Sequence, residues 1–216
     1  MIRIEALSKS FGSTPVLQNI NLSFERGKTS LIIGGSGSGK TVLMKCLVGL
    51  LEADTGSIYY DSVDFCKLGF AQRSEIRRKL GMLFQGGALF DSLTVLENVM
   101  FPLDMFTRTS KAEKKDRAMF CLERVNLVHA AALYPAELSG GMKKRVAIAR
   151  AISNKPGYLF CDEPNSGLDP RTAILIDQLI SEITHEFHIT TVINTHDMNS
   201  VMEIGDKVCF LYQGSI

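Results

Sequence analysis

The sequence has no hydrophobic run long enough to cross a membrane and no cysteine pattern that would support a disulfide framework. None of its apolar runs approaches the roughly 18 residues that a membrane span needs, and its first residues lack the layout of a signal peptide. The five cysteines are scattered and free of C-x-x-C spacing, so we expect reduced, mostly buried thiols rather than metal ligands. Both absences favour a soluble intracellular protein.

The sequence also lacks a large net charge, internal repeats, low-complexity tracts and Pro/Ser-rich linkers. Its 24 Lys and Arg residues nearly balance its 23 Asp and Glu residues, so the composition gives no electrostatic reason to expect a nucleic-acid partner. The 216 residues, 45% of them hydrophobic, suffice for one sizeable core with a subdomain attached. We therefore expect a single domain over residues 1–216.

Residues 34–41 match G-x-x-x-x-G-K-[ST], a pattern typical of phosphate-binding loops. Glycine-rich backbone can turn its N–H groups inward to form a concave nest for phosphate oxygens, because no bulky side chain blocks the approach. Lys40 can then reach the β- and γ-phosphates, and the Thr41 hydroxyl can ligate Mg²⁺. The candidate residues of the loop are Gly34, Gly35, Ser36, Gly37, Ser38, Gly39, Lys40 and Thr41.

The neighbouring residues favour a phosphate-binding loop over a glycine-rich turn that binds nothing. Residues 29–33 have the composition of a buried strand, and residues 41–48 have that of a helix. A helix that begins at the loop directs the positive end of its dipole at bound phosphates. The sequence therefore predicts a strand, a loop and a helix in register.

Further polar positions follow predicted buried strands. They are Gln85 after residues 80–84, Asp162 and Glu163 after residues 157–161, and His196 after residues 189–194. Adjacent carboxylates at a strand end are costly unless they meet a cation or take part in proton chemistry, whereas Gln85 alone could be an ordinary edge residue. Strands that alternate with helices predict an α/β fold with a mostly parallel sheet, in which ligands bind at the carboxyl ends of the strands.

Two other regions complete the predicted architecture. Strand patterns at residues 2–7, 16–24 and 54–60, the last as an edge strand, predict an N-terminal antiparallel β subdomain. Phe11 lies in this region, where its ring could stack on a purine or belong to the core. The helical pattern of residues 86–153 predicts an inserted α-helical subdomain, which leaves residues 1–85 and 154–216 to the nucleotide-binding core with its β subdomain.

Local signals also predict how individual helices begin. Ser110 and Glu113 have the spacing of a capping box, and Asp197 is placed to cap a short helix. A helix over residues 143–152 would carry three basic residues in its first turn, which the helix dipole disfavours unless that end faces an anion; a solvated basic turn is the alternative. Pro170 begins a helix whose predicted apolar face comprises Leu175, Leu179, Ile180 and Ile183.

Six motifs, in the expected order, resemble those of the ATP-binding subunits of ABC transporters over essentially the whole chain. They are the Walker A loop at residues 34–41, the Q-loop glutamine Gln85, the signature at residues 138–142, Walker B at residues 158–162 with Glu163 after it, the D-loop at residues 166–169 and the switch histidine His196. Met142 replaces the signature glutamine, and Gly35 stands where many members carry proline. Family members continue with another strand and helices beyond the last residue here, so we expect that a tail is missing.

The resemblance implies an ATPase that binds ATP and Mg²⁺ between the two chains of a head-to-tail homodimer. Its catalytic residues would be Glu163, His196 and Gln85, and its metal ligands Thr41, Gln85 and Asp162. Beyond the Walker A loop, the implied nucleotide contacts are Phe11 on adenine, Ser139, Gly140 and Gly141 of the opposite chain on the γ-phosphate, and Asp169.

A narrower resemblance concerns residues 82–95 and 97–103, which are similar to the ATPases of maintenance-of-lipid-asymmetry and mammalian-cell-entry type transporters. It implies lipid transport, an integral membrane permease, a substrate-binding lipid-carrier protein, and a peripheral position on the inner face of the cell membrane. Leu89 and Phe90 are the residues that we expect to line a groove for a permease helix. The alternative is a soluble ABC ATPase that acts on DNA or the ribosome, although the chain has no room for the basic or coiled-coil extensions of those relatives.

Overall fold

The computed structural model describes residues 1–216 and contains nine strands and seven α-helices. The strands are β1 (Ile2–Phe11), β2 (Thr14–Phe24), β3 (Thr29–Ile33), β4 (Thr55–Tyr60), β5 (Val63–Asp64), β6 (Leu80–Leu83), β7 (Tyr158–Asp162), β8 (Thr190–Asn194) and β9 (Lys207–Phe210). The helices are α1 (Lys40–Leu47), α2 (Phe70–Arg77), α3 (Val95–Phe106), α4 (Lys111–Arg124), α5 (Gly140–Ile152), α6 (Pro170–Glu186) and α7 (Met198–Ile204). None of these helices combines the length and the apolar character that a membrane span requires.

The central layer is a five-stranded sheet in the order β6-β7-β8-β3-β9, and every neighbouring pair is parallel. Strands β7 and β8 are buried throughout, which explains the apolar run Tyr158–Cys161 in β7, whereas β8 also buries Thr190, Thr191 and Asn194. Because the strands are parallel, their carboxyl ends lie along one edge of the sheet. The predicted α/β fold with a parallel sheet is confirmed.

The predicted antiparallel β subdomain is also confirmed. Its strand order is β2-β1-β4-β5, and both β2 and β4 pair with β1 in antiparallel register. The prediction that β4 would be an edge strand is wrong, because Tyr60 of β4 pairs with Val63 of the short strand β5. Only Asp61 and Ser62 separate these two strands. A strand as short as β5, after so short a turn, leaves no periodicity that the sequence could reveal.

The side chains of the parallel sheet divide between two hydrophobic cores. In β7, Leu159 and Cys161 belong to a core shared with helices α3 to α6, whereas Tyr158 and Phe160 belong to a core shared with the antiparallel sheet, α1 and α2. This alternation follows from the period of two in a strand. The helices α3, α4 and α5 therefore pack on one face of the parallel sheet, and the β subdomain packs on the other.

Two helix predictions are wrong in detail. Helix α5 begins at Gly140 rather than at residue 143, so the three basic residues lie beyond its first turn. In α6, Leu175 is exposed, and the buried positions of the same helix include Ile176, Ile180 and Ile183. The predicted caps are confirmed, since the Ser110 side chain accepts from the Glu113 N–H and the Asp197 side chain caps α7.

Candidate functional site

The glycine-rich loop joins the carboxyl end of β3 to the first residue of α1, as predicted. Gly39, at the N-cap of α1, has φ = 105°, and a Cβ atom there would lie 2.9 Å from the carbonyl oxygen of Val16. Only glycine meets both conditions. The Lys40 ammonium donates hydrogen bonds to the carbonyl oxygens of Gly34 at 2.8 Å and Gly35 at 3.1 Å, so the charge lies at the concave side of the loop.

A cavity of about 550 Å³ brings this loop together with three of the predicted strand-end residues. Its lining comprises Val16, residues 34–42, Gln85, Glu163 and His196. The loop and the three polar residues come from four separate segments, which meet because the parallel strands end at the same edge. The cavity therefore combines a phosphate nest with groups that can hold or accept a proton.

Phe11 is not part of that cavity lining. It is exposed at the end of β1, and the ammonium of Lys9 lies 5.6 Å from the centroid of its ring. The structure therefore decides against the core alternative for this ring, and leaves a contact with adenine as a prediction.

Asp162, the last residue of β7, lies beside the loop. The Thr41 hydroxyl donates to Asp162 Oδ1 at 3.5 Å, and the Asn194 amide donates to the same oxygen at 3.2 Å. Gln85 directs its amide N–H to the Ser166 hydroxyl, 3.3 Å away. A hydroxyl, a carboxylate and an amide oxygen are the hard oxygen donors that Mg²⁺ prefers.

Glu163 has a left-handed backbone conformation, with φ = 50°. Its N–H donates to the carbonyl oxygen of Asn194 at 3.0 Å, and its carboxylate lies 2.7 Å from Nδ1 of His196. A carboxylate only accepts, so Nδ1 of His196 carries the hydrogen of this bond. Left-handed conformations of non-glycine residues are costly and concentrate at functional sites, and here the conformation accompanies the pairing of Glu163 with His196.

Lys144 is a buried residue of this region that sequence reasoning missed. Its ammonium donates to the carbonyl oxygens of Gln85 and Glu163, and burial lowers its pKa. A detectable signal exists, because Lys144 shares the i, i+3, i+4 and i+7 stripe of α5 with the buried residues Ala147, Ile148 and Ala151.

The basic residues after the signature lie beyond the first turn of α5, so the prediction of a basic first turn is wrong. Lys144 binds backbone carbonyls, and Arg145 donates to the carbonyl oxygen of Val125 at 3.3 Å. The first turn of α5 contains Gly140 and Gly141 instead, with Ser139 at the N-cap.

The signature residues line a second cavity, of about 510 Å³, which contains no residue of the phosphate loop. Ser139, Gly140, Gly141 and Asp169 contribute to it. Gly141 packs closely on α6, since a Cβ atom there would lie 2.6 Å from Cγ2 of Thr172. Asp169 accepts from the N–H of Thr172 at 3.1 Å and from its hydroxyl at 2.5 Å, and these bonds lower the pKa of Asp169.

Within one chain, therefore, the predicted site residues form two groups. The loop, Gln85, Glu163 and His196 share the first cavity, and the signature with Asp169 shares the second. The two cavities share no lining residue.

The fold and the first cavity define a P-loop domain. The chain belongs to the ABC transporter family, whose model matches residues 17–166. A structural relative is the dimeric bacterial ABC transporter cassette MJ0796, with a TM-score of 0.91 and 35% identity over 100% of this chain and 96% of that one. The same cassette in a post-hydrolysis state bound to ADP and Pi has a TM-score of 0.90 and 34% identity, with the same coverage.

Three relatives differ in the transport that their names describe. The probable ribonucleotide transport ATP-binding protein mkl of Mycobacterium leprae is 38% identical over 98% of this chain and 61% of its own length. The intermembrane phospholipid transport system ATP-binding protein MlaF of Haemophilus influenzae is 38% identical over 95% of this chain and 78% of its own length. The methionine import ATP-binding protein MetN of Mesorhizobium japonicum is 38% identical over 100% of this chain and 59% of its own length. The chain thus spans about three fifths of the mycobacterial and methionine-import proteins.

Proposed function

We propose that this chain hydrolyses ATP and couples the reaction to a membrane transporter. The observation that carries the proposal is the single cavity that joins residues 34–42 to Gln85, Glu163 and His196. The nest and the N-terminus of α1 would bind the phosphates of ATP, with Lys40 as the side-chain cation. Phe11 would contact the adenine from the exposed end of β1.

Thr41, Gln85 and Asp162 fit a Mg²⁺ ion, because the Thr41 hydroxyl and the Asp162 carboxylate already lie side by side at the loop. When bound, Mg²⁺ neutralises charge on the transferring phosphate. Asn194 supports the arrangement, since its amide holds one oxygen of Asp162.

Glu163 would accept a proton from the attacking water through its carboxylate, and His196 would orient that carboxylate and contact the γ-phosphate. Their distance of 2.7 Å supports this division of roles. Replacing a positioned general base reduces turnover by about 10²–10⁴-fold. Catalysis would otherwise depend on positioning and charge stabilisation rather than on covalent chemistry.

The complete site would form between two copies of the chain in the ATP-bound state. The separation of the two cavities supports this proposal, as does the dimeric state of the related cassette. Ser139, Gly140, Gly141 and the N-terminus of α5 in one chain would close on the γ-phosphate held by the other. Asp169, in the same cavity, would lie at this interface.

Lys40→Ala tests the hydrolysis proposal, because it removes the one lysine that donates into the loop. We expect nucleotide affinity to fall at least tenfold and turnover to be lost, measured by equilibrium binding and by phosphate release with Mg²⁺ and ATP. Lys45→Ala is the matched control, since Lys45 is an exposed lysine of the same helix. Unchanged affinity and near-normal turnover in Lys40→Ala would contradict the proposal.

For the transported substrate we propose a phospholipid or another lipid. The narrower sequence resemblance supports this choice, and a phospholipid transport protein is among the relatives, although its 38% identity equals that of the ribonucleotide and methionine relatives. The partners would then be a membrane permease and a lipid-carrier protein, and the chain would be peripheral on the inner face of the membrane. The near-neutral charge disfavours the alternative of a DNA- or ribosome-associated ATPase, and co-purification with a membrane protein rather than with nucleic acid distinguishes the two.

A groove of about 400 Å³ is the proposed contact surface for the permease. We name it the α3 groove; its lining includes Met82, Phe84, Phe90, Phe101, Phe106, Arg78 and Arg150. Phe90 lines it as expected, but Leu89 packs against the hydrophobic core instead. Because the lining is mostly apolar, and Arg78 and Arg150 already bind Glu75 and backbone carbonyls, it favours a permease helix with apolar anchors.

This proposal keeps the expected division of the chain. Residues 86–153 would act as the helical and signature subdomain, and residues 1–85 and 154–216 as the nucleotide-binding core with the β subdomain. The α3 groove lies where these parts meet, since Met82 and Phe84 come from the core and Phe90 and Phe101 from the helical part.

A further inference from the structure

Helix α5 places a buried positive charge between the two parts of the chain. Lys144 is only 6% exposed and forms no ion pair in the structure. Its hydrogen-bond partners are two backbone carbonyl oxygens, of Gln85 and of Glu163. Burial of this charge is costly, and the nearby carboxylates of Glu163 and Asp162 offset part of that cost.

The two partners of Lys144 are the residues whose side chains line the first cavity beside the phosphate loop. Glu163 has the left-handed backbone at φ = 50°, so its peptide group depends on its neighbours for its orientation. Lys144 binds the carbonyl of this same residue at 3.4 Å, and the carbonyl oxygen of Asn194 accepts from its N–H. The carboxylate position thus depends on contacts from two sides.

We propose that Lys144 is a positioning residue, which fixes the backbone of Glu163 and Gln85 against the signature helix. This inference rests on the ATP hydrolysis proposed above. Lys144 does not contact the phosphate loop, so it acts on the position of the Glu163 carboxylate and not on the binding of nucleotide. Because Ser139 caps the same helix, Lys144 also links the first cavity of a chain to its second cavity.

Arg150 allows Lys144 to be replaced without releasing the segment after Gln85 from α5. Further along the same helix, its guanidinium donates to the carbonyl oxygens of Gly87 and Ala88, each at 2.7 Å. The segment after Gln85 therefore stays anchored to α5 when Lys144 is replaced. Lys144→Met retains most of the length of the side chain and leaves an apolar group in the buried position.

The experiment measures ATP affinity, kcat, KM and thermal stability of the full chain for wild type and Lys144→Met. We expect kcat to fall at least tenfold, with affinity and KM within about threefold of wild type, because positioning acts in the transition state. Lys144→Arg, which keeps the charge and the donors, should recover part of the loss. Lys207→Met is the control, since Lys207 also binds a backbone carbonyl, that of Ser23, but lies outside both cavities.

The second arm repeats the comparison in Glu163→Gln under single-turnover conditions. If Lys144 acts through Glu163, Lys144→Met should reduce the rate of ATP hydrolysis much less in the Glu163→Gln background than in wild type. An equal loss in both backgrounds would overturn the proposal, as would an unchanged kcat in Lys144→Met. Should Lys144→Met fail to fold, the same criteria apply to Lys144→Gln. If wild type hydrolyses no ATP, the proposed function fails rather than this inference.

Discussion

Asp177 is a carboxyl group in the interior of the protein, close to the catalytic segments but not part of either cavity. It is 2% exposed and accepts from the Ser200 hydroxyl at 2.7 Å, and this hydroxyl in turn accepts from the Asn165 amide at 3.1 Å. Burial raises the pKa of Asp177, although hydrogen bonds from Ser200 and Asn165 oppose the change. The other Asp177 oxygen has no hydrogen-bond partner.

Asp177→Asn should therefore stabilise the protein at neutral pH. A carboxyl whose pKa is raised by folding takes up a proton on folding, so the folded state loses stability as the pH rises from the unfolded pKa, about 4, through the folded pKa. The neutral amide avoids this loss, so the melting temperature should exceed that of wild type at pH 7 and the gain should shrink towards pH 4. A gain of 1 kcal/mol corresponds to about 2–4 °C in a domain of this size.

Asp54→Asn is the control, because it should lower the melting temperature at neutral pH, where Asp177→Asn should raise it. Hydrogen bonds from the Lys9 ammonium and the Ser10 N–H, both at 2.6 Å, lower the pKa of Asp54. Its stabilisation is present above the unfolded pKa and is lost as the pH falls through the folded pKa. Differential scanning fluorimetry from pH 4 to pH 8 compares the two; a gain for Asp177→Asn that does not vary with pH would contradict the assignment.

Single residues also mark the limit of what the sequence predicts. The loop and the strand-end residues were predictable, because their types and spacing belong to a known motif and their strands are strongly apolar. The burial of Lys144 was missed because a lysine is normally exposed, although its position on the apolar stripe of α5 indicates it. The left-handed backbone of Glu163 was not predictable, because it arises from contacts with β8 and α5 that are distant in sequence.

At the scale of elements, the α3 groove depends on how α3 packs against β6 and α5. Phe90 is 42% exposed, its ring centroid is 4.6 Å from that of Phe101, and the Arg150 guanidinium lies 5.9 Å from its ring. Phe90→Asp should leave the ATPase activity of the isolated chain within a few-fold of wild type and abolish assembly with the permease. Co-purification of the tagged chain with the membrane protein measures assembly.

Phe120→Asp is the matched control for that change. Phe120 is 38% exposed, its ring packs against that of Phe187, and its ring centroid lies 5.0 Å from the guanidinium carbon of Arg117. Phe120 is on α4 and lies outside the α3 groove. If Phe90→Asp still co-purifies at wild-type stoichiometry, the permease binds elsewhere. If it unfolds while Phe120→Asp does not, Phe90 belongs to the core.

Helix boundaries were predictable where side chains form recognisable caps, as at Ser110 and Asp197. The start of α5 was not, because Gly140 and Gly141 have low helix propensity and resemble a loop. In the structure Ser139 caps this helix, with its hydroxyl accepting from the Met142 N–H at 3.3 Å. Close packing of Gly141 on α6 compensates for the low helix propensity of glycine.

At the scale of the whole molecule, the proposed homodimer predicts a contact between two chains. Ser36 of one chain and Gly140 of the other should approach each other when ATP is bound, since they lie in the two cavities that the dimer would join. Both positions are exposed, whereas the Ser38 hydroxyl is buried and a cysteine there would be inaccessible. Cysteines at Ser36 and Gly140 should give an interchain product with a thiol crosslinker.

The crosslinking is best measured in Glu163→Gln, which should retain bound ATP. Mixing chains that carry only one of the two cysteines, with tags of different mass, shows whether the product joins unlike positions. The Lys40→Ala background should give none. Four of the five native cysteines are buried, so replacing half-buried Cys66 by serine suffices to lower the background. Absence of an ATP-dependent product would contradict the homodimer.

The overall architecture was predictable because buried parallel strands leave a strong apolar pattern. The way in which the layers share the sheet was not predictable, since a strand such as β7 contributes side chains to two cores at once. Tyr158 and Phe160 face the core of the β subdomain, and Leu159 and Cys161 face that of the helices. Neither subdomain therefore has a core that is separate from the parallel sheet.

The close packing of Gly141 on Thr172 has a consequence for how such sequences diverge. A side chain at position 141 would collide with Cγ2 of Thr172 inside the chain, and in the proposed dimer it would also obstruct the nucleotide of the neighbouring copy. A substitution at position 141 is therefore constrained both by the contact with Thr172 and by the proposed contact with nucleotide. An alanine at 141 would therefore require Thr172 to shift or to be replaced by a smaller residue, so the two positions are coupled.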